Sequence, residues 1–166
     1  MISALGLHRC KSCKQLFAFP HRFAQDLSAA EQLRGYWRVA EIHGLTGPQI
    51  DLFGPPRLIF DRDAITDIQY GLVAGSMSSW VRYGLLEGAH GADFEWFGYE
   101  GDEDACGHGW AAISGDRLVG EIRYHFESWG FAVLHRNFDA PGRFVAVRPA
   151  PKGRRLRRMI ARARAS

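Results

Sequence analysis

The sequence predicts an all-β fold: an antiparallel up-and-down meander of about eight strands closing into a barrel, with a short N-terminal helix and a basic C-terminal tail or helix. From Tyr36 onward, β-branched and aromatic residues recur in short segments that Gly, Pro or Asp separate. No stretch between these segments is long enough to be a crossover helix, so neighbouring strands should be antiparallel. So long a meander exposes two edges unless it closes, and this favours a barrel.

The predicted elements divide the chain into three parts. Residues 1–34 form an N-terminal segment, in which Ser28 and Glu31 have the spacing of a capping box and open a short helix that Gly35 ends. Residues 35–137 form the β-barrel domain, and residues 138–166 form the basic tail. The eight strands are expected within 36–43, 56–63, 64–71, 72–84, 92–100, 107–114, 117–126 and 129–137.

The seventh strand has the clearest alternation. Leu118 and Ile122 share one parity with further apolar residues, while Glu121, Arg123 and His125 fall on the other. This pattern is typical of a strand with one buried face.

Two turns flank the sixth strand. The segment "EGDEDACGHGW" (100–110) does not have the spacing of a calcium-binding loop, so its carboxylates and Gly101 indicate a hairpin connection. Ser114-Gly115-Asp116 indicates a second tight hairpin before the seventh strand. We therefore interpret the acidic loop as a connection rather than a site.

Composition limits the class of protein. The 166 residues are 46% hydrophobic and 13% aromatic, which suits one folded domain rather than a disordered chain. The apolar runs are short, and "MISALGL" lacks the features of a signal peptide. Three cysteines are an odd number and fit a reducing compartment. We expect a cytoplasmic protein without a transmembrane segment.

The positive charge is concentrated in the tail. "PKGRRLRRMIARARAS" (151–166) contains seven of the 21 basic residues and no acidic residue, whereas the whole chain has a net charge of +3. Its arginines predict a surface for nucleic acid or an anionic membrane. The candidate residues are Arg154, Arg155, Arg157 and Arg158.

Cys10 and Cys13 have the Cys-x-x-Cys spacing of a zinc site. Tetrahedral zinc needs two further ligands, which would be either His8 and His21 or the distant pair Cys106 and His108. The alternative is that both cysteines are thiols without a metal, and no other cofactor is expected.

"GYW", with Gly35 and Trp37 at the start of the first long strand after the helix, resembles the Gly-x-Trp motif of the lipocalin and fatty-acid-binding proteins, the calycins. The resemblance implies a ligand held in the barrel lumen and a closing arginine after the last strand, for which Arg136 and Arg143 are the candidates. Residues 94–136 also resemble uncharacterised bacterial β-proteins, which imply no activity.

Three classes of function remain open. The first is a barrel that binds a small, partly apolar ligand without catalysis. The second is a nucleic-acid or anionic-surface binder that uses the tail, and the third is an enzyme with a histidine-containing barrel site. Since no catalytic motif is present, the non-catalytic binder is preferred, and the sequence leaves the oligomeric state open. The candidate ligand-binding residues are Trp37, Glu41, Arg123, His125 and His135.

Overall fold

The computed structural model describes residues 7–10, 13–14, 16–18, 23–52, 54–61, 67–71, 73–76, 81–125 and 142–149. These residues form short helices and many strands. The helices are α1 (Ser28–Leu33) and α2 (Gly47–Ile50). The strands are β1 (Leu7–Arg9), β2 (Leu16–Ala18), β3 (Phe23–Gln25), β4 (Gly35–Ile42), β5 (Arg57–Phe60), β6 (Asp67–Tyr70), β7 (Val73–Ser76), β8 (Val81–Leu86), β9 (Ala89–Glu100), β10 (Glu103–Ser114), β11 (Arg117–Tyr124) and β12 (Gly142–Val147).

The strands form one large sheet and one small one. The large sheet has the order β10-β11-β12-β4-β5-β6-β7-β9-β8-β3, with an additional pairing of β10 with β9, and the small sheet is the hairpin β1-β2. Every pairing that the structure describes is antiparallel. The predicted all-β, antiparallel class is therefore confirmed.

The strand order differs from the predicted single closed meander. The predicted strand at 72–84 is two strands, and β7 and β8 both pair along the same edge of the long strand β9. The sheet branches at β9 and continues through β8 to β3. The sheet is therefore not a simple eight-stranded meander, and the predicted strand at 129–137 lies outside the described residues.

Strand β12 was not predicted, because it lies in the stretch that was assigned to the tail. It pairs with β11 on one side and with β4 on the other. Phe144 and Ala146 are buried in the core, while Val145 between them is partly exposed. The sheet therefore extends beyond residue 137.

The described residues of the N-terminal segment include three strands that the sequence did not predict. These are β1, β2 and β3, whose three-residue lengths are too short to show a period. Helix α1 lies in the predicted segment, but its N-cap is Leu27, and the Asp26 carboxylate accepts the backbone N–H of Ser28 at 2.9 Å. The predicted role of Ser28 as the cap is therefore wrong. Among the described residues, no helix is long and apolar enough to cross a membrane.

Both predicted hairpin turns are confirmed. The acidic segment turns at Gly101 and Asp102, so that Glu100 pairs with Glu103, and the next hairpin pairs Ser114 with Arg117. Gly101 and Gly115 have φ of 62° and 63°, which glycine adopts without steric cost.

Trp37 lies where the helix, the first long strand and the last described strand meet. Its indole Nε1 donates to the carbonyl of Leu33 at 2.7 Å. The guanidinium of Arg148, directly after β12, lies 4.4 Å from the centre of the Trp37 ring and donates to the Gln32 carbonyl. Arg143, by contrast, lies within β12, and Arg136 lies outside the described residues.

Candidate metal centre

One face of β9, β10 and β11 packs on the core, and the opposite face is polar. Phe94 and Trp96 on β9 belong to the core cluster, as do Leu118 and Ile122 on β11. The alternating residues of these strands point the other way and include several buried polar side chains. These are Asp93, Glu95, His108, Glu121 and His125.

The register of β10 and β11 places Cys106 beside His125. The Gly115-Asp116 turn pairs Ser114 with Arg117, and continuing the ladder pairs Gly107 with Tyr124. The next step brings His125 opposite Cys106, and the His125 N–H donates to the Cys106 carbonyl at 2.8 Å. Directly opposed residues of antiparallel strands lie about 4.5–5.5 Å apart. Both side chains therefore meet on the polar face.

The hairpin β1-β2 brings the two remaining cysteines to the same place. Cys10 directly follows β1, and the chain turns through Cys13 so that the N–H of Lys14 donates to the Cys10 carbonyl at 3.1 Å. Lys14 has a φ of 65°, which lets the chain turn back into β2. Cys10 is buried with Phe17 and Cys106, and Cys13 packs against them.

Phe17 fixes the hairpin against the two histidines. Its ring stacks on His108 at 4.3 Å between centroids and is tilted against His125 at 4.7 Å. His8, directly opposite Phe17 on β1, lies 5.8 Å from that ring. The hairpin thus covers this part of the polar face.

Four donor atoms converge under the hairpin. One ligand atom from each of Cys10, Cys13, Cys106 and His125 lies within 4.8 Å of the other three. The sulfurs of Cys10 and Cys106 are 3.9 Å apart, which excludes a disulfide bond between them in this structure. The His125 Nε2 lies 2.6 Å from the His108 Nδ1, while the buried His125 Nδ1 has no hydrogen-bond partner among the described residues.

The donor set and its spacing fit Zn²⁺. Three thiolates and one imidazole are a common tetrahedral zinc set, and zinc–sulfur bonds of about 2.3 Å place two sulfurs of a tetrahedron roughly 3.8 Å apart. The observed Cys10 to Cys106 distance of 3.9 Å agrees with this edge. The buried His125 Nδ1 has no hydrogen-bond partner among the described residues, and a bound metal would satisfy it.

Burial shifts the pKa values of these groups. It lowers the pKa of His108 to about 3, with the nearby His125 and Arg123 adding to the shift, and lowers the pKa of His125 to about 4. Both imidazoles are therefore neutral at pH 7, which is the form that binds a metal. Burial, together with the neighbouring Cys13 and Cys10, raises the pKa of Cys106 well above its usual range. A bound cation would reverse that shift, because coordination favours the thiolate.

The donor group differs from both predicted ligand sets. Cys10 and Cys13 are brought together, and so is Cys106, but the fourth donor is His125 rather than His108. His8 is not in the donor group, and His21, the other histidine of that predicted set, lies outside the described residues. The signal that could have identified His125 is the hairpin turn, because counting eight residues outward from Ser114 and Arg117 gives Cys106 and His125.

The five candidate ligand-binding residues do not share one surface in the described part of the chain. Trp37 belongs to the core, whereas Arg123 and His125 lie on the polar face of the sheet. Glu41 is exposed, because a bulge near Ala40 turns its side chain outward and brings Ile42 into the core. His135 and the tail arginines Arg154, Arg155, Arg157 and Arg158 lie outside the described residues.

Two ion pairs flank the candidate centre. The Arg82 guanidinium donates to both oxygens of Asp93 at 2.8 and 2.5 Å, and Arg123 pairs with Glu121. Burial raises the pKa of Asp93, although its contact with Arg82 opposes the shift. We assign these pairs a structural role, because each carboxylate already faces a guanidinium.

The comparisons with known proteins leave the site to be interpreted from its geometry. No family model matches the chain, and neither a curated protein nor a solved structure is significantly similar to it.

Proposed function

We propose that this chain is a zinc-binding β protein in which one ion, held by Cys10, Cys13, Cys106 and His125, fastens the N-terminal hairpin to the polar face of the sheet. The observation that carries the proposal is the convergence of four donor atoms within 4.8 Å from three separate parts of the chain. Two come from the hairpin, one from β10 and one from the end of β11.

The donor set supports a structural role for the ion. Four protein ligands complete a tetrahedral site and leave no position for water or substrate, as in structural rather than catalytic zinc sites. Three of the four ligands, Cys10, Cys106 and His125, are also buried. We therefore place the ion in folding and attachment, with no chemistry performed at it.

The hairpin needs such an attachment. Among the described residues, strands β1 and β2 pair with each other and with no further strand, over three residue pairs. An isolated two-stranded hairpin is marginally stable in water. The free energy of metal binding is available for folding, because the complete ligand set exists only when the hairpin lies on β10 and β11.

Metal analysis of the full chain, purified without chelator, tests the proposal. We expect about one zinc per chain, and stripping the metal should lower the melting temperature by roughly 5–10 °C if free zinc is near 100 times its Kd. Cys106→Ser and His125→Ala should both lower the zinc content, because each removes one of four ligands. His43→Ala is the matched control, since His43 is an exposed histidine outside the donor group.

Metal-free protein whose three thiols all titrate, and whose melting temperature does not respond to added zinc, would contradict the zinc centre. Equal zinc content in the wild type and in Cys106→Ser would contradict the assigned ligand set.

Binding of a small, partly apolar ligand is the second candidate function, and strand pairing supports it. Because β10 pairs with both β9 and β11, and β12 pairs with β4, a ring of strands can be traced in which each member has a neighbour on both sides. This ring supports a closed, calycin-like barrel, and the packing of Arg148 on Trp37 would supply its closing arginine. The ring consists of β4, β5, β6, β7, β9, β10, β11 and β12.

The core residues favour the metal centre over a lumen ligand. Phe60, Phe94 and Trp96 are among the largest fully buried side chains, and they belong to one continuous core cluster. Aromatic side chains that fill a small barrel leave little space for a ligand. Tryptophan fluorescence against a panel of lipids and metabolites tests this candidate, and a response that saturates at one ligand per chain would support it.

An anionic partner for the basic tail remains a proposal that rests on the sequence. If the tail has such a partner, deleting residues 152–166 should weaken binding to DNA or to anionic vesicles at low salt. Unchanged binding to DNA and to anionic vesicles after the deletion would show that the tail does not bind such a partner.

A further inference from the structure

We infer that His108 is a positioning residue for the metal centre: its Nδ1 accepts the Nε2–H of His125 and thereby leaves the Nδ1 lone pair of His125 available to bind the metal. The inference rests on the proposed zinc centre and assigns to it a residue outside the donor group. Its basis is the 2.6 Å contact between the His108 Nδ1 and the His125 Nε2.

The hydrogen bond between the two rings allows two arrangements of protons. If His108 donated, the His125 proton would lie on Nδ1, where that buried atom has no acceptor among the described residues and could not bind a metal. If His125 donates, its Nδ1 carries a lone pair, and a metal satisfies it. Only the second arrangement satisfies both ring nitrogens of His125 once zinc is bound.

The surroundings hold His108 in the orientation that this bond requires. Its backbone is paired on both sides, with Glu95 on β9 and with Arg123 on β11. Its ring stacks on Phe17 with an angle of 17° between planes, and only 7% of the residue is exposed. Since Phe17 belongs to the hairpin, docking of the hairpin fixes the ring that orients the fourth ligand.

The same register supplies a carboxylate for the far side of His108. When its Nδ1 accepts from His125, the neutral His108 ring carries its own proton on Nε2. Glu95 lies directly opposite His108, and its side chain is on the same face and buried. Side chains in directly opposed positions lie about 4.5–5.5 Å apart at Cβ, within reach of a hydrogen bond. In many metal sites a carboxylate accepts a hydrogen bond from a histidine ligand. Here Glu95 would accept from His108 and His108 would accept from His125, so that one further imidazole lies between the carboxylate and the ligand.

The test compares zinc affinity in full-length variants. Zinc competition against a chromophoric chelator should show a loss of 10- to 100-fold in His108→Leu, the range typical of residues that orient a metal ligand. His108→Asn, whose side-chain oxygen replaces the Nδ1 acceptor, should recover most of the affinity. His43→Leu should match the wild type. Cobalt substitution should give a changed visible spectrum in His108→Leu and a normal one in His108→Asn, a difference that mere loss of packing would not produce.

A second measurement decides the question if His108→Leu does not fold. Long-range ¹H–¹⁵N spectra of the wild type report which nitrogen of His125 carries the proton. Protonation at Nε2 with zinc bound supports the inference, and protonation at Nδ1 overturns it. His108→Leu with the zinc affinity and cobalt spectrum of the wild type would also overturn it. Failure of the wild type to bind zinc would instead contradict the proposed centre itself.

Discussion

Buried tyrosine hydroxyls show how single residues respond to the interior of this sheet. The hydroxyl groups of Tyr70 and Tyr124 lie 2.9 Å apart. Burial raises the pKa of both, and it also raises the pKa of Tyr83, whose hydroxyl donates to the Asp61 carbonyl, to about 12. The protonated form is favoured in each case, because an ionised phenol would lose its hydration on burial.

We predict a delayed tyrosine titration. Since the folded state raises these pKa values above their ordinary value of 10.0, the resulting stability is complete below pH 10 and is lost as the pH rises toward 12. Absorbance at 295 nm should therefore show at least three of the five tyrosines ionising late, together with alkaline unfolding followed by circular dichroism. Ionisation of all five near pH 10, with the far-ultraviolet spectrum unchanged, would contradict this.

At the scale of strands, aromatic side chains of the core lie over glycines of the neighbouring strand. Trp96 is opposite Gly107 and Phe94 is opposite Gly109, while Gly120 is opposite Phe144. A Cβ at Gly109 would lie 2.7 Å from the Phe94 ring. Glycine in these strands therefore provides room for large rings, and this outweighs its low preference for strands.

We predict that Gly107→Ala destabilises the fold by about 1–3 kcal/mol, the usual cost of adding volume to a packed core. The added methyl group would collide with the Arg123 carbonyl and lie 2.6 Å from the Trp96 Nε1. Gly47→Ala is the control, because nothing lies within 4 Å of its added methyl group. Urea denaturation should show a lower midpoint for Gly107→Ala and a change within about 0.5 kcal/mol for the control. Equal midpoints would show that β10 moves to accept the methyl group.

At the scale of the whole molecule, β12 connects the C-terminal part of the described chain with its N-terminal part by strand pairing. It inserts between β11 and β4, so the sheet pairs a strand from near the C-terminus with the first long strand. Phe144 and Ala146 add to the core, and Arg148 covers Trp37 and reaches the helix at Gln32. The domain boundary that the sequence predicts at residue 137 would exclude β12 from the β domain.

We predict that a chain of residues 1–137 does not fold, whereas a chain of residues 1–149 does. The shorter chain loses β12 and therefore leaves the backbone groups of β11 and β4 unpaired along two edges. The longer chain keeps every described strand and lacks only residues 150–166. Circular dichroism and thermal melting check both, and a cooperative transition for residues 1–137 at the wild-type temperature would show that β12 is dispensable.

The sequence by itself determined the local features of this protein. Alternation of apolar and polar residues identified β11, and the turn residues identified both hairpins that bound β10. The Cys-x-x-Cys spacing of Cys10 and Cys13 predicted a pair that could bind a metal, because this spacing needs no tertiary structure. These features depend on neighbours in the chain, whose geometry the backbone fixes.

Only the tertiary structure decided which residues complete the candidate site. Cys106 and His108 are close in sequence, but residues two apart on a strand are separated by about 6.5 Å along it. His125 lies directly across the ladder from Cys106 and is closer, and β12 is likewise defined by the two strands it joins. Docking of the short β1-β2 hairpin then buries polar side chains that alternation alone assigns to solvent. Pairing across the sheet, rather than spacing along the chain, sets these contacts.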